Sequence, residues 1–529
     1  MRKNLLLLIT AVLLSMASAF AQGGTTGPLT WELSGTAPNL TLTISGEGEM
    51  PDYEYESSPW YDYRESITTV VLENGITTIG VFAFQNCSAF ISINIPNSIV
   101  TIGNYAFPYC TALTSITLGN SIAYIGYYAF ENCTALTSIT IPSSVTTIGD
   151  NTFHGCTALT SIDVENENAN YSSIDGVLLS KEKTNLLLYP SGKTNSSYII
   201  PNSVIGISYD AFRFCTKLTS ITIPNSVSWI STYFFGCSAL TSINVESENA
   251  NYSSIDGVLF DKEKTILIRY PSGKINIGYT IPNSVTNIRE HAFSECTVIM
   301  SITIPNTVTT IEYCAFQSCT ALTSINIPNS VTIIRDGTFA NCSALVSITL
   351  PNSVTTIEGF TFSFCSNLTS IIIPKHVASI GDYAFSRCTA LTSVTNLNPE
   401  PIEISSAVFS GVEISACTLK VLESSIGAYQ DAPVWQDFKI EGIVGIEDYK
   451  MSVVEVYPNP TSGVLRITSA ESQVTGIEIF DISGRKLPTS SVSLKSLETL
   501  IDVSHLTAGF YFLKINTEAG QVIKKVLKE

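Results

Sequence analysis

The sequence predicts a parallel-β solenoid with little helix, followed by a small antiparallel β-sandwich. Three observations lead there. Cysteines recur every 23 residues, at Cys87, Cys110, Cys133 and Cys156 and again at Cys296, Cys319, Cys342, Cys365 and Cys388. Each closes the same phrase, roughly L-T-S-I-T-I-P-N-S-V-T-T-I-G-x-x-A-F-x-x-C, as from Leu322 to Cys342 and from Leu345 to Cys365. From Gly445 onward that period is gone and short period-two strands replace it. A fixed period of this length marks a one-dimensional stack of coils, none of which can bury its apolar side chains alone.

The chain opens with Arg2 and Lys3, an apolar run over residues 5–14, and then Ala19-Phe20-Ala21. That order is the one a secretory signal peptide has, with cleavage expected between Ala21 and Gln22. The apolar run falls short of the roughly 20 residues that cross a bilayer. No later stretch is long enough either, so no transmembrane segment is expected after signal removal.

The lattice runs from residue 66 to about 410. Within a unit, Leu113, Ile116 and Leu118 have the spacing of one short strand. A turn follows, Ile122 and Ile125 reach back inward, and Ala129 and Phe130 fill the layer before the next strand. The pairs Ala83-Phe84, Ala106-Phe107, Ala292-Phe293, Ala315-Phe316 and Ala384-Phe385 keep this register. Eleven units carry the lattice cysteine, counting Cys215 and Cys237, and a worn twelfth ends at Phe409. Burying one such Phe or Ile contributes about 1.5–3 kcal/mol, so a dozen units supply ample core.

Two units are long. Cys156 to Cys215 and Cys237 to Cys296 each span 59 residues, which is 36 more than the period. The extra segments, near 164–199 and 245–280, are near-copies that share N-Y-S-S-I-D-G-V-L from Asn170 and Asn251 and Y-P-S-G-K from Tyr189 and Tyr270. Apolar residues 177–179 and 186–188 flank the charged turn Lys181-Glu182-Lys183, which predicts a β-hairpin added to the coil.

Asp and Glu outnumber Lys and Arg, 45 to 27, and no Lys or Arg stands between Arg64 and Lys181. Such a surface repels phosphate backbones, so nucleic acid is excluded as a partner. Thirteen cysteines in an exported chain first suggest disulfides. Here, however, each repeats its neighbour's place about 4.8 Å away with a parallel Cβ vector. That geometry suits a disulfide poorly, so a buried ladder of free thiols acting as small apolar groups is expected. Cys314 and Cys417 lie off this lattice, free to be exposed or paired. No Cys-x-x-Cys or histidine cluster offers a metal site, and the four histidines are scattered. No nucleophile elbow and no phosphate-cradling glycine loop occurs. No catalytic residue, metal ligand or cofactor is therefore assigned.

The repeated phrase resembles the BspA-like leucine-rich repeat family of bacterial surface proteins, over residues 66 to about 410. The resemblance makes the middle of the chain a leucine-rich-repeat solenoid. Residues 22–65 resemble that family's N-terminal cap through Trp31, the strand from Leu40 and Pro59-Trp60, and 411–444 resemble its C-terminal flank through Leu419, Tyr429 and Trp435. Residues 445–529 combine strands around Leu465, Ile477 and Phe510 with turns at Ser483-Gly484 and Ala508-Gly509, which indicates a small β-sandwich. This part also resembles the C-terminal sorting domain of the type IX secretion system. The motifs that carry the likeness are Tyr457-Pro458-Asn459-Pro460 with Gly463, Asp481 to Arg485 with Gly484, the stretch around Gly509, and the final Lys524-Lys525. That resemblance implies passage through secretion machinery, removal of the domain, anchoring or release outside the cell, and a Bacteroidetes-type host.

Outward strand positions form lanes of small hydroxylated residues: Ser115 and Thr117, Ser138 and Thr140, Ser220 and Thr222, Ser301 and Thr303, Ser347 and Thr349. Thr suits strands and both residues are soluble, yet a broad regular face is also what solenoids use to bind. The family resemblance implies an adhesin for protein or glycan ligands on host matrix, host cells or other bacteria. The alternative is a self-associating component of a surface coat or biofilm matrix.

Overall fold

The computed structural model describes residues 22–231, 234–443, 454–457, 459–461, 463–469, 473–481, 485–488, 490–495, 498–517 and 520–529. The leader with Ala21, and Pro458 and Gly484 of the terminal motifs, lie outside the described residues. The chain divides into two compact units, Met1–Asn251 and Tyr252–Glu529.

The first unit opens with an antiparallel meander of Gln22–Thr26, Leu29–Thr36 and Asn39–Gly46. Its last strand pairs in parallel with Ile67–Leu72, so the meander covers what would be an open sheet edge. Trp60 is fully buried beneath it. Its indole N–H donates to the Ala83 carbonyl at 2.7 Å and its ring stacks on Phe84.

Each coil then contributes two parallel lanes. The first holds Ser92–Asn94, Ser115–Thr117, Ser138–Ile141 and Ser161–Val164. The second holds Ile76–Ile79, Thr101–Ile102, Tyr124–Ile125 and Thr147–Ile148. The sequence predicted one strand per unit. From Thr101–Ile102 to Thr147–Ile148 this lane is only two residues wide, too short for an alternating pattern, and it forms because the neighbouring coil presents the same pair in register. The third side has no strand, but its backbone is still laddered, Phe107 N–H to Ala129 O at 2.8 Å and Phe130 N–H to Thr152 O at 2.9 Å. Inside this side the rings stack as expected: Phe84 on Phe107 at 5.0 Å, Phe107 on Phe130 at 5.5 Å and Phe130 on Phe153 at 5.7 Å.

In each of the first three coils two residues are left-handed, one before the Ala-Phe pair and one before the cysteine. Phe82, Tyr105 and Tyr128 occupy the first place, Asn86, Tyr109 and Asn132 the second. For side chains of this size that conformation costs on the order of 1 kcal/mol or more. The inter-coil ladder holds it, as where Tyr109 N–H donates to Glu131 O at 2.7 Å.

None of the thirteen cysteines forms a disulfide. The lattice thiols are more than apolar filler. Cys110, Cys156 and Cys388 each donate S–H to the carbonyl of Phe84, Phe130 and Phe362 in the preceding coil at 3.1 Å, and Cys342 does so to Phe316 at 3.2 Å. Cys417 is buried, and Cys314 is half-buried at a left-handed position that aromatic residues fill in other coils.

The first long unit contains more than a hairpin. Tyr171–Ile174, Val177–Ser180 and Asn185–Leu188 form an antiparallel sheet. Its last strand then pairs in parallel with Gly206–Ile207 in the second lane. Tyr189 takes the phenylalanine place beside Phe212 at 5.7 Å, and Ser197–Ile199 supplies a first-lane strand paired with Ser220–Ile223. The insertion is thus a whole extra coil plus two further strands. Gly192 permits its return, since a Cβ there would lie 2.3 Å from the Ala158 carbonyl carbon.

The second unit repeats this with Tyr252–Ile255, Val258–Asp261 and Ile266–Arg269, the last parallel to Asn287–Ile288. Its first lane includes Gly278–Thr280, Ser301–Thr303, Ser324–Asn326 and Ser347–Thr349. Thr418–Leu422 and Lys439–Ile443 extend the parallel sheet beyond the last coil. Trp435 plugs that end, donating to the Ile402 carbonyl at 2.7 Å with its ring edge-on to Phe409. Beyond it lie two antiparallel sheets, ordered Val454–Tyr457, Val464–Ser469, Glu498–Asp502, Ser490–Lys495 and Lys486–Leu487, Val474–Asp481, Gly509–Thr517, Gly520–Lys528. Leu465, Ile467 and Ile501 from one sheet and Ile479, Leu513 and Ile515 from the other share one core, which makes a sandwich.

Candidate functional site

In the first lane, side chains alternate outward and inward with the strand period. Ser115, Thr117, Ser138 and Thr140 are exposed while Ile116 and Ile139 between them are buried. Register aligns Ser115 with Ser138, and Ser138 with Ser161. Ser220 and Thr222 are half-buried in the later coils of the first unit. In the second unit Ser301 aligns with Ser324 and Ser324 with Ser347, and Thr349 lies beside Asn326. Ser347 and Thr349 are exposed, whereas Ser301 and Thr303 are half-buried. The Thr303 hydroxyl donates to the Asn459 carbonyl at 3.0 Å. The structure therefore forms two stretches of a narrow hydroxyl-bearing face, one in each unit. Not every hydroxyl nearby is free for a ligand: Thr114, Thr137 and Thr160, at the strand entries, donate to the carbonyls of Ile91, Thr114 and Thr137 in the coil before.

In the terminal sandwich, the structure brings two of the motif positions together. The Asn459 side chain donates to the Lys525 carbonyl at 3.0 Å and accepts from Leu527 N–H at 2.8 Å. It thereby pins the segment before the second strand to the final strand. The Lys525 ammonium lies 4.1 Å from the Phe510 ring centroid, next to Gly509. Gly463 passes its carbonyl to Val503 N–H at 2.7 Å.

Pattern reading missed a cleft of ≈ 470 Å³ beside the first insertion. Asp150, Asn151 and His154 line it from one coil, and Asp210, Arg213 and Phe214 from another. Arg213 donates to Asp210 at 3.2 Å, yet burial outweighs that attraction and pushes the Asp210 carboxyl up from its ordinary value. The His154 ring is wedged between Tyr128 and Phe214. Burial first, and the Arg213 charge second, lower its pKa to about 4, so it is neutral at physiological pH. The acidic stretch Asp163 to Glu167 is engaged within the fold: Asp163 accepts from the Ser161 hydroxyl and Glu165 from Ser143 N–H. Among the described residues no cluster of His, Cys, Asp and Glu is arranged to hold a metal ion.

Comparison with known proteins adds the following. A family model described as BspA type Leucine rich repeat region matches residues 57–175, 191–279, 272–392 and 361–432. One described as Secretion system C-terminal sorting domain matches residues 455–529. Among solved structures, a leucine-rich repeat protein from Eubacterium ventriosum is 25% identical with a TM-score of 0.39, over 74% of this chain and 95% of that one. A leucine rich cell surface protein from Faecalibacterium prausnitzii is 28% identical with a TM-score of 0.44, over 72% and 96%. The pneumococcal vaccine antigen PcpA is 18% identical with a TM-score of 0.40, over 81% and 100%. No curated protein matches the chain.

Proposed function

The chain belongs to the BspA-type leucine-rich repeat family and ends in a secretion-system sorting domain, and from that premise we propose that it is an adhesin and not an enzyme. It is a secreted, cell-surface protein. The observation that carries the reading is the outward lane. Its small hydroxylated side chains repeat at about one strand spacing on a parallel sheet that stacked rings hold rigid, and a regular, extended face suits many weak contacts to a large partner. Ser115, Thr117, Ser138, Thr140, Ser220, Thr222, Ser301, Thr303, Ser347 and Thr349 are the proposed contacts, and protein or glycan ligands on host or bacterial surfaces the proposed partners.

In the same reading, the leader at residues 1–21 is cleaved before Gln22 and takes the chain across the inner membrane. The domain from residue 445 engages type IX machinery at the outer one, through Pro458, Asn459, Pro460, Gly463, Gly484, Gly509, Lys524 and Lys525. Residues 22–65 and 411–444 close the two ends of the solenoid at 66–410.

Purified protein titrated against immobilised matrix proteins, epithelial cells and whole bacteria tests the proposal. Saturable binding to one partner, weakened when Ser138→Lys and Thr140→Lys are introduced together, supports it. Non-saturable interaction with every surface, together with concentration-dependent self-association, favours a coat component instead.

A further inference from the structure

We propose that the cleft beside the first insertion is a saccharide site that takes the end of a neutral, hydroxyl-rich glycan. The inference deepens the binding reading by naming a ligand class, at a surface apart from the outward lane.

The cleft follows from the topology. In the second lane, the strands Tyr171–Ile174 and Val177–Ser180 are added ahead of Asn185–Leu188. The first lane receives no such pair. The segment around Asp150 and Asn151 therefore touches the segment around Asp210 and Arg213 at the rim, Asn151 to Arg213 and His154 to Phe214, with the opening beside these contacts. Its volume, ≈ 470 Å³, falls in the range of small-molecule sites and accommodates one or two sugar rings.

The polar groups there mix donors and acceptors at close range. The Arg213 Nη1 donates to Asp210 at 3.2 Å and reaches the Asn151 amide oxygen at 3.5 Å. Asp150 stands exposed beside them. Adjacent hydroxyls, each both donor and acceptor, can engage such a set without leaving either kind unpaired. Asp150 and Asp210, with Glu131 behind them at 3.5 Å from His154, outnumber the one guanidinium, so an anionic ligand is repelled. Leu187, Leu188 and Tyr171 offer an apolar wall for the C–H face of a sugar ring.

The His154 Nε2 and the Arg213 Nε are buried at its edge with no hydrogen-bond partner in the fold. One further observation separates this cleft from ordinary packing. The second insertion copies the hairpin but not the chemistry. In its sequence, Arg269 replaces Leu188, His291 replaces Asp210 and Ser294 replaces Arg213. Arg269 is itself buried, donating to the carbonyls of His291 and Ser294. The polar set is thus specific to the first site and is no by-product of duplication.

The test is isothermal titration of the full chain with maltotriose, mannotriose, galactotriose and chitotriose, with sialyllactose as the anionic control. The expected result is saturable, one-site binding of at least one neutral trisaccharide. Asp210→Asn and Arg213→Ala should each weaken it about tenfold or more, the usual consequence of losing a charged hydrogen-bonding group. Leu187→Trp, which fills the cleft, should abolish it, and Asn166→Ala, at an exposed position outside the cleft, should leave it unchanged. Thermal melts of every variant check folding, and the nearly isosteric Asp210→Asn decides the matter if Arg213→Ala is unstable. Absence of binding to all four, preference for sialyllactose, or binding that survives both Asp210→Asn and Leu187→Trp overturns the proposal. Adhesion to cells that persists in that case leaves the adhesin reading standing, and the converse result separates the two in the other direction.

Discussion

A lattice cysteine such as Cys342 occupies a space one thiol wide and donates to the Phe316 carbonyl of the coil before it. Replacing it by alanine leaves a small void and an acceptor with one partner fewer. Cys342→Ala should lower the unfolding free energy by about 1–2 kcal/mol in urea titration. Burial pushes the thiols of Cys342 and Cys388 up to about 12, so the folded chain favours their protonated form. Their contribution is complete below the ordinary thiol value of 9.0 and is lost as pH rises toward 12. His154 and His291 behave in the opposite sense. Burial lowers both to about 4, so their contribution is complete above 6.5 and is lost as pH falls toward 4. The melting temperature should therefore hold a plateau between those limits and decline on both sides, and a pH series of melts checks this. Tyr189 and Tyr270 fill phenylalanine places but bury hydroxyls that find no partner. Tyr270→Phe should accordingly be neutral or stabilising by up to about 1 kcal/mol.

Among the elements, the insertions depend on a buried asparagine. The Asn168 amide donates to the carbonyls of Pro142 and Val145 at 2.7 and 3.0 Å and accepts from the N–H groups of Asn170 and Tyr171. Asn249 makes the same two donations, to Pro224 and Val227. One side chain thus fastens the start of each added sheet to the coil beneath it. Asn168→Ala should destabilise the chain by about 2–3 kcal/mol and expose the 164–199 segment to limited proteolysis, whereas Asn166→Ala, at an exposed position, should do neither. The end plugs follow a related logic. Trp60 and Trp435 each end a column of rings and satisfy a carbonyl that would otherwise face an open end. Trp435→Ala should unlock hydrogen exchange first in the coils nearest it, because a stack loses protection from its uncapped end.

At the scale of the whole molecule, stability is a sum over coils and the interfaces between them. Deleting one full period, residues 322–344, brings Phe316 into the place next to Phe362 and restores every lane. Circular dichroism and urea unfolding should show the same β-rich fold, weakened by one increment. Deleting residues 322–333, half a period, puts Pro351 and Pro374 into the phenylalanine column and should abolish folding. A protein organised in this way can lengthen or shorten its outward lanes without redesign.

The coil stack, the phenylalanine and cysteine columns and the terminal sandwich were all legible in the sequence. A repeat states the same contact many times over, so period and side-chain type already say which residues meet. The sequence reading stopped where that redundancy ends. In the regular coils the second lane is two residues wide and has no pattern of its own; it exists because the adjacent coil offers a matching pair. The insertion read as a hairpin because its two strands are local, while the extra coil around Tyr189 and Ser197–Ile199 becomes visible only once each strand has found its parallel partner. The cleft is the clearest case. Asn151 and Arg213 are 62 residues apart, and their meeting depends on how many strands stand between them in the fold. Composition and period determined what kind of molecule this chain makes. Only the tertiary structure decided where an added sheet parts the coils and which polar side chains then face one another, because that distance is set by packing between elements and not by spacing along the chain.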